Sequence, residues 1–302
     1  MTDIIRQIQS LKKERDAVIL AHNYQLDEVQ EIADYMGDSF YLSKVAADIN
    51  CRTIVFCGVR FMAETAKVLS PSKLVLLPES DAGCPLADMI TADDLRSFKA
   101  KHPGVPVVCY VNSSVDVKAE SDVCCTSANA VKVAASLPGK KVIFVPDKNL
   151  GDWVAKQLPE KEFILWEGCC TTHAKVQPAD LIKARENHPA AKVLVHPECD
   201  PSVVALADFV GSTSAIIRYA ETSVAQKEFI IGTEMGVMMK LKTLRPDAQF
   251  FLLHAGLVCP NMKKTRVQSV LDALLHNQYE ITVAEQYAEP ARKALTRMLE
   301  LV

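Results

Sequence analysis

One pattern occurs three times in this 302-residue chain, and that repetition restricts the fold more than any other feature. Short apolar runs end in His22-Asn23-Tyr24, Tyr110-Val111-Asn112 and His196-Pro197-Glu198, whose first residues lie 88 and 86 positions apart. Seventeen residues after each comes a hydroxyl residue that opens a helical pattern: Ser39, Ser127, and Thr213, which follows Ser212. A proline ends a later helix in each unit, at Pro71, Pro159 and Pro246. A cysteine then closes the pattern at Cys84, Cys170 and Cys259, in steps of 86 and 89 residues. Thr91 to Tyr110 overlies Gln177 to His196 without gaps, pairing Asp94 with Asp180 and Leu95 with Leu181. A fixed period marks repeated structural units, so the chain reads as three copies and a tail.

Each copy reads as strand, loop, helix, strand, helix, strand and cysteine loop. The strands are short and apolar throughout, as in Thr53–Phe56, Val142–Val145 and Phe229–Ile231. Unbroken apolar runs, rather than alternation, predict strands covered on both faces, as in parallel sheets. Leu42, Val45, Ala46 and Ile49 keep helical spacing, as do Ala130, Val133, Ala134 and Leu137. The expected class is α/β, with three pseudo-symmetric αβα units of Rossmann-like parallel sheet around a central site. The expected units are 1–84, 85–170 and 171–264. The tail, 265–302, carries apolar positions at helical spacing (Val270, Leu271, Leu274; Ala294, Met298, Leu299) and is expected to pack on the first unit.

Composition narrows the function. With 34 basic and 37 acidic residues the net charge is −3, which offers no overall attraction to nucleic acid or to an anionic membrane. No apolar stretch reaches membrane-spanning length, and Met1 to Asp16 has a polar helical pattern rather than that of a signal peptide. Ten cysteines without a secretion signal point to the cytoplasm and to metal or catalytic use, not to disulfides. Cys51, Cys57 and Cys109 lie in or beside apolar strands and are expected to be packing residues. One member of each adjacent pair, Cys124-Cys125 and Cys169-Cys170, is expected to be packing as well.

In parallel α/β layers ligands collect beyond the carboxyl ends of strands, where loops lead into helix N-termini. The pairs His22 and Tyr24, Tyr110 and Asn112, and His196 and Glu198 follow strands at i, i+2, which aims both side chains alike if the backbone stays extended. Ser39, Ser127, Ser212 and Thr213 at helix starts suit phosphate or carboxylate. The three cysteine loops also follow strands. Zinc sites usually draw on local C-x₂₋₄-C pairs, and none exists here, so ligands some 86 residues apart imply a site where three units meet. On spacing alone Cys169 could replace Cys170, and His173 reads equally as a site residue or a loop histidine. His102, His188, His254 and His276 read as structural.

Several motifs together carry a family resemblance. Phe61-Met62-Ala63-Glu64-Thr65-Ala66-Lys67, Gly37-Asp38-Ser39, Gly211-Ser212-Thr213-Ser214, His196-Pro197-Glu198-Cys199 and Cys259-Pro260-Asn261-Met262-Lys263-Lys264 resemble the quinolinate synthase family over nearly the whole chain. The resemblance implies condensation of iminoaspartate with dihydroxyacetone phosphate in de novo NAD biosynthesis. It also implies a 4Fe–4S cluster on Cys84, Cys170 and Cys259, with one iron open as a Lewis acid. The family pattern puts the second ligand three residues before the histidine, which selects Cys170. Transient supply of iminoaspartate by an L-aspartate-oxidising enzyme is a further implication.

On that reading Ser39, Ser127, Ser212 and Thr213 bind phosphate or carboxylate, with His22, Tyr110, His196 and His173 as further substrate contacts. Glu198 is the expected general base, its pKa raised toward neutrality by enclosure. Tyr24 and His196 assist proton transfer, and Asn112 holds an intermediate's oxygen or nitrogen. Two other readings share the cysteine pattern. One is a diphthamide-synthesis type of enzyme acting on S-adenosylmethionine; the other is a non-catalytic iron–sulfur sensor.

Overall fold

The computed structural model describes residues 2–301. After α1 (Thr2–Arg15), the first unit runs β1 (Ala17–His22), α2 (Asp27–Glu31), β2 (Tyr35–Gly37), α3 (Ser39–Asp48), β3 (Thr53–Cys57), α4 (Arg60–Leu69) and β4 (Leu74–Leu76). The second follows α5 (Ala92–Ala100) with β5 (Val107–Tyr110), α6 (Val115–Ala119), β6 (Val123–Cys125), α7 (Ala130–Ser136), β7 (Lys141–Val145), α8 (Lys148–Gln157) and β8 (Glu162–Leu165). The third follows α9 (Pro178–Asn187) with β9 (Lys192–Val195), α10 (Pro201–Val204), β10 (Phe209–Val210), α11 (Thr213–Thr222), β11 (Glu228–Gly232), α12 (Val237–Leu244) and β12 (Gln249–Leu252). Then come α13 (Val267–His276) and α14 (Glu285–Glu300). Each unit forms one four-stranded sheet in the order second, first, third, fourth, and every pairing between these strands is parallel.

Four strands per unit is one more than the apolar runs predict. The additional strands β2, β6 and β10 hold only three, three and two residues, too few to show as a run. An aspartate fixes each of them. Asp34, Asp122 and Asp208 accept the backbone N–H of Ile19, Val107 and Val193 at 2.8, 2.7 and 2.8 Å. The aspartates' own N–H groups donate back to the carbonyls of those same residues. Second and first strands are thereby joined at one repeated point.

Helix ends repeat as well. Ser70, Leu158 and Arg245, each just before the repeated proline, share φ −130° with ψ of 69°, 63° and 69°. Such a non-helical residue before proline is what the ring's clash with its predecessor requires. Thr91 and Gln177, the N-caps of α5 and α9, each donate their N–H to the aspartate three residues on, Asp94 and Asp180. That explains the ungapped pairing of those segments. Ser127 departs from expectation: α7 begins only at Ala130, because Asn129 Oδ1 accepts from the N–H of Thr126 and holds 126–129 as a turn.

The first and second sheets share one continuous apolar cluster, whereas the third has a separate cluster on each face. Cys57, Cys109, Cys124 and Cys125 are fully buried there or in the cluster beneath α1, so both members of the Cys124-Cys125 pair are packing residues. In the tail, α13 lies against α1 and β3, but α14 lies against α6 and β6 as well as α4. The tail thus meets the first unit through both helices, and α14 reaches the second unit as well. The buried face of α14, Ala291, Ala294, Leu295 and Met298, fills the seam between the first two units. Between these helices Tyr279 and Ile281 hydrogen-bond to Leu77 and Val75, covering the edge beside β4. No helix among the described residues is long and apolar enough to cross a membrane.

Replacing Asp122 by alanine removes a charge-assisted bond to a buried N–H, so Asp122→Ala should lose about 1–3 kcal/mol of stability. Denaturant unfolding checks this; an unchanged midpoint would show that the aspartate joint does not hold β6 in place.

Candidate active site

A cavity lies where the carboxyl ends of the three sheets meet. The first unit contributes His22 and Tyr24 after β1, Ser39 after β2, Val59 after β3 and Cys84 after β4. The second contributes Tyr110 and Asn112, Ser127, and Cys170 with His173. The third contributes His196 and Glu198, Thr213, Glu234 and Cys259. Three repeated backbones thus deliver three different sets of side chains to one space.

Glu198 is the hub. Tyr110 donates its hydroxyl to Glu198 Oε1 at 2.8 Å, and Asn112 Nδ2 approaches the same oxygen at 3.4 Å. His173 Nδ1 lies 2.8 Å from Glu198 Oε2. The other ring nitrogen of His173 lies 3.0 Å from Thr233 Oγ1, which lies 2.7 Å from the Tyr24 hydroxyl, which lies 2.7 Å from Thr213 Oγ1. An unbroken hydrogen-bonded chain therefore runs from the carboxylate to the start of α11. On the other side His196 Nε2 lies 3.1 Å from Ser127 Oγ. The Oδ1 atom of Asn112 is buried without a partner.

The two strand-end histidines are held in one tautomer by the same local bond. The N–H of Tyr24 donates to His22 Nδ1, and the N–H of Glu198 donates to His196 Nδ1. Nε2 is then the protonated nitrogen of each neutral ring. Burial lowers the His22 pKa to about 3, aided by Lys263, and burial lowers that of His196 to about 4. Both are uncharged near neutrality. Burial, with the charge of Glu198 adding to it, raises the Tyr24 and Tyr110 hydroxyls well above 10, so both remain donors.

Glu198 reverses an expectation. Burial does push its carboxyl upward, but His196, His173 and the hydrogen bonds from His173 and Tyr110 outweigh it and hold the group below the ordinary range. Enclosure here comes with donors, and the donors win. Glu198 is an ionised acceptor at neutral pH. Its Oε atom, His173 and the Cys170 sulfur lie within 4.8 Å of one another, a set able to hold a cation.

Two further expectations resolve on position. Cys170 faces the cavity while Cys169 does not; the Cys169 N–H instead approaches Met89 Sδ. Ser212 is outside the cavity lining, and its Oγ accepts the N–H of Ala215 as an ordinary helix cap. Thr213, one residue on, takes the cavity position.

Sequence reasoning missed Thr233, Asp147, Glu234, Asn149 and Lys263. Asp147 and Glu234 accept the backbone N–H groups of Cys170 and Cys259 at 3.1 Å each. Asn149 Nδ2 donates to the Glu198 carbonyl, and Lys263 Nζ donates to the carbonyl of Tyr24 and to Glu234. Position in the repeat was the available signal, since Asp147, Thr233 and Glu234 all follow the third strand of a unit.

The chain is similar to one described family along nearly its whole length. The family model described as "Quinolinate synthetase A protein" matches residues 6–300. Quinolinate synthase of Caldicellulosiruptor bescii is 62% identical over 98% of this chain and 97% of its own. That of Caldicellulosiruptor saccharolyticus is 61% identical over 99% and 98%, and that of Alkaliphilus metalliredigens 58% over 99% and 99%.

The buried histidines set a pH dependence. In the unfolded chain each takes a proton near pH 6.5, whereas folded His22 and His196 do so only near 3 and 4. Protons then favour the unfolded state, so stability falls as pH drops from about 6.5 toward 4, by up to roughly 1.4 kcal/mol per pH unit for each ring. Urea unfolding at pH 7, 6 and 5 should show that slope, and His22→Gln should flatten it.

Proposed function

The chain belongs to the quinolinate synthase family, and on that premise we propose that it condenses iminoaspartate with dihydroxyacetone phosphate to give quinolinate, phosphate and water. The observation that carries this reading is the convergence of Cys84, Cys170 and Cys259, one from each unit, on the cavity that holds Glu198 and its donors. The cavity lining offers three soft sulfur donors, with Cys169 turned away from it, a set suited to a 4Fe–4S cluster with one iron free of protein. When bound, such a cluster supplies a Lewis-acidic iron able to polarise a hydroxyl, carbonyl or carboxylate.

The remaining roles fall to side chains. Ser39, first residue of α3, and Thr213, first residue of α11, bring a hydroxyl and free backbone N–H groups to the cavity, which suits phosphate and carboxylate. Ser127 would complete that set beside His196. The neutral rings of His22 and His196 would donate from Nε2 without repelling or trapping charge. Ionised Glu198 would accept a proton from carbon or nitrogen, and His173 and Tyr110 would stabilise it before the transfer. Tyr24, linked through Thr233 to His173, would return protons on the opposite side. The unpartnered Asn112 Oδ1 would accept an imine or amine N–H.

Ten unpaired cysteines favour a reducing compartment, in keeping with the cytoplasm. Supply of iminoaspartate by an L-aspartate-oxidising enzyme fits the same scheme.

Anaerobic purification with iron and sulfide quantification, followed by a quinolinate assay with both substrates, tests the reading. Glu198→Gln should retain the cluster and lower turnover by about 10² to 10⁴-fold. Near-native turnover would remove Glu198 as the base. Cys84→Ser should lose the cluster, and full iron content in that variant would refute the ligand assignment.

A further inference from the structure

One backbone hydrogen bond recurs in all three units beside the cavity cysteines. The N–H groups of Arg60, Lys148 and Met235 donate to the carbonyls of Ala82, Gly168 and Leu257, at 2.8, 2.8 and 2.9 Å. Each acceptor lies two residues before a cavity cysteine. The residue preceding each donor therefore occupies the same place in every unit: Val59, Asp147 and Glu234.

At that place the second and third units carry a fully buried carboxylate, and the first carries an apolar residue. Asp147 Oδ2 accepts from the N–H of Cys170 at 3.1 Å while Oδ1 accepts from the N–H of Leu150 at 2.8 Å. Glu234 Oε1 accepts from the N–H of Cys259 at 3.1 Å while Oε2 accepts from the N–H of Gly236 at 2.7 Å. Both oxygens of each group face backbone donors, a task an amide cannot perform because one of its two positions is itself a donor. A buried carboxylate is tolerated only with such partners, and it fixes the atoms that partner it.

We propose that Asp147 and Glu234 are positioning residues that brace the Cys170 and Cys259 loops, so that two of the three cluster thiols are held by a carboxylate and the Cys84 thiol is not. This rests on the cluster reading given above. The brace acts on the cysteine backbone, so it sets where the sulfur points. Orienting groups behind a metal ligand commonly change metal affinity by about 10 to 100-fold. The unbraced Cys84 corner is left to its own loop, which makes the three corners chemically unequal.

The test compares native protein with Asp147→Asn and Glu234→Gln, all purified anaerobically with cluster. The readouts are the rate of iron loss to a chelator, the electron paramagnetic resonance spectrum of the reduced cluster, and the thermal midpoint. Each amide variant should release iron about 10-fold faster or more, with an altered spectrum. Asp147 also caps α8, so Asp147→Ser serves as the second variant: serine keeps a helix cap but is too short to serve Leu150 and Cys170 together. It should also release iron faster while keeping native circular dichroism. Native iron-release rates and spectra in the variants, with or without a lower thermal midpoint, would overturn this assignment alone. A native chain that assembles no cluster would overturn both this assignment and the cluster reading beneath it.

Discussion

The N–H groups of Arg60, Lys148 and Met235, each bound to a carbonyl two residues before a cavity cysteine, tie the end of every third strand to the loop after every fourth. Without that tie the cysteine loops, which follow strands of only three or four residues, would have little to define their course. With it, each loop is fixed to the strongest part of its sheet, because the third strand pairs on both sides. The cavity is therefore a consequence of sheet order. In the order second, first, third, fourth, the crevice between first and third strands opens at their carboxyl ends, and three such crevices face one another.

Electrostatics inside that space follow from what each unit brings. Burial alone would leave a neutral carboxylic acid and neutral imidazoles. His22 and His196 do stay neutral, because each spends Nδ1 on a backbone N–H two residues later and has no carboxylate strong enough to charge it. Glu198 stays ionised because His196 of its own unit, with His173 and Tyr110 of the second unit, outweighs burial. The tyrosine comes from the end of β5 and the histidine from the loop after β8, so the state of the carboxylate depends on the assembly of units.

Much of this was legible in the chain. The period of 86 to 89 residues, the apolar third strands and the strand-end pairs all follow from patterns that backbone geometry imposes on sequence. Position along the chain also placed Cys84, Cys170 and Cys259, although choosing Cys170 over Cys169 needed either the family pattern or the cavity itself. What stayed hidden was of two kinds. Strands β2, β6 and β10 are too short for periodicity to register, and only the aspartates before them repeat. Thr233, Asp147 and Glu234 act through contacts with other loops, and those contacts have no sequence spacing. Ser212 differs for the opposite reason: a serine before a helix satisfies capping by itself, and here its Oγ accepts the N–H of Ala215 while Thr213 lines the cavity. The pKa of Glu198 misled because burial was legible and its donors were not.

The three units agree in backbone and disagree in side chains in a patterned way. Seventeen residues after the strand-end positions the repeated residues are Ser39, Ser127 and Thr213, alike in chemistry. Two residues past His22, Tyr110 and His196 they are Tyr24, Asn112 and Glu198: a donor, an amide and an ionised acceptor. After the third strands they are Val59, Asp147 and Glu234. A symmetric site would bind three copies of one group, which hydroxyls and helix starts could serve. Assembling an unsymmetrical product demands that proton donor and proton acceptor differ, and only the side chains are free to differ while the sheets stay the same. The positions where the repeat fails are therefore the ones that distinguish chemistry from scaffold, and Val59 belongs among them although it carries no polar atom in its side chain.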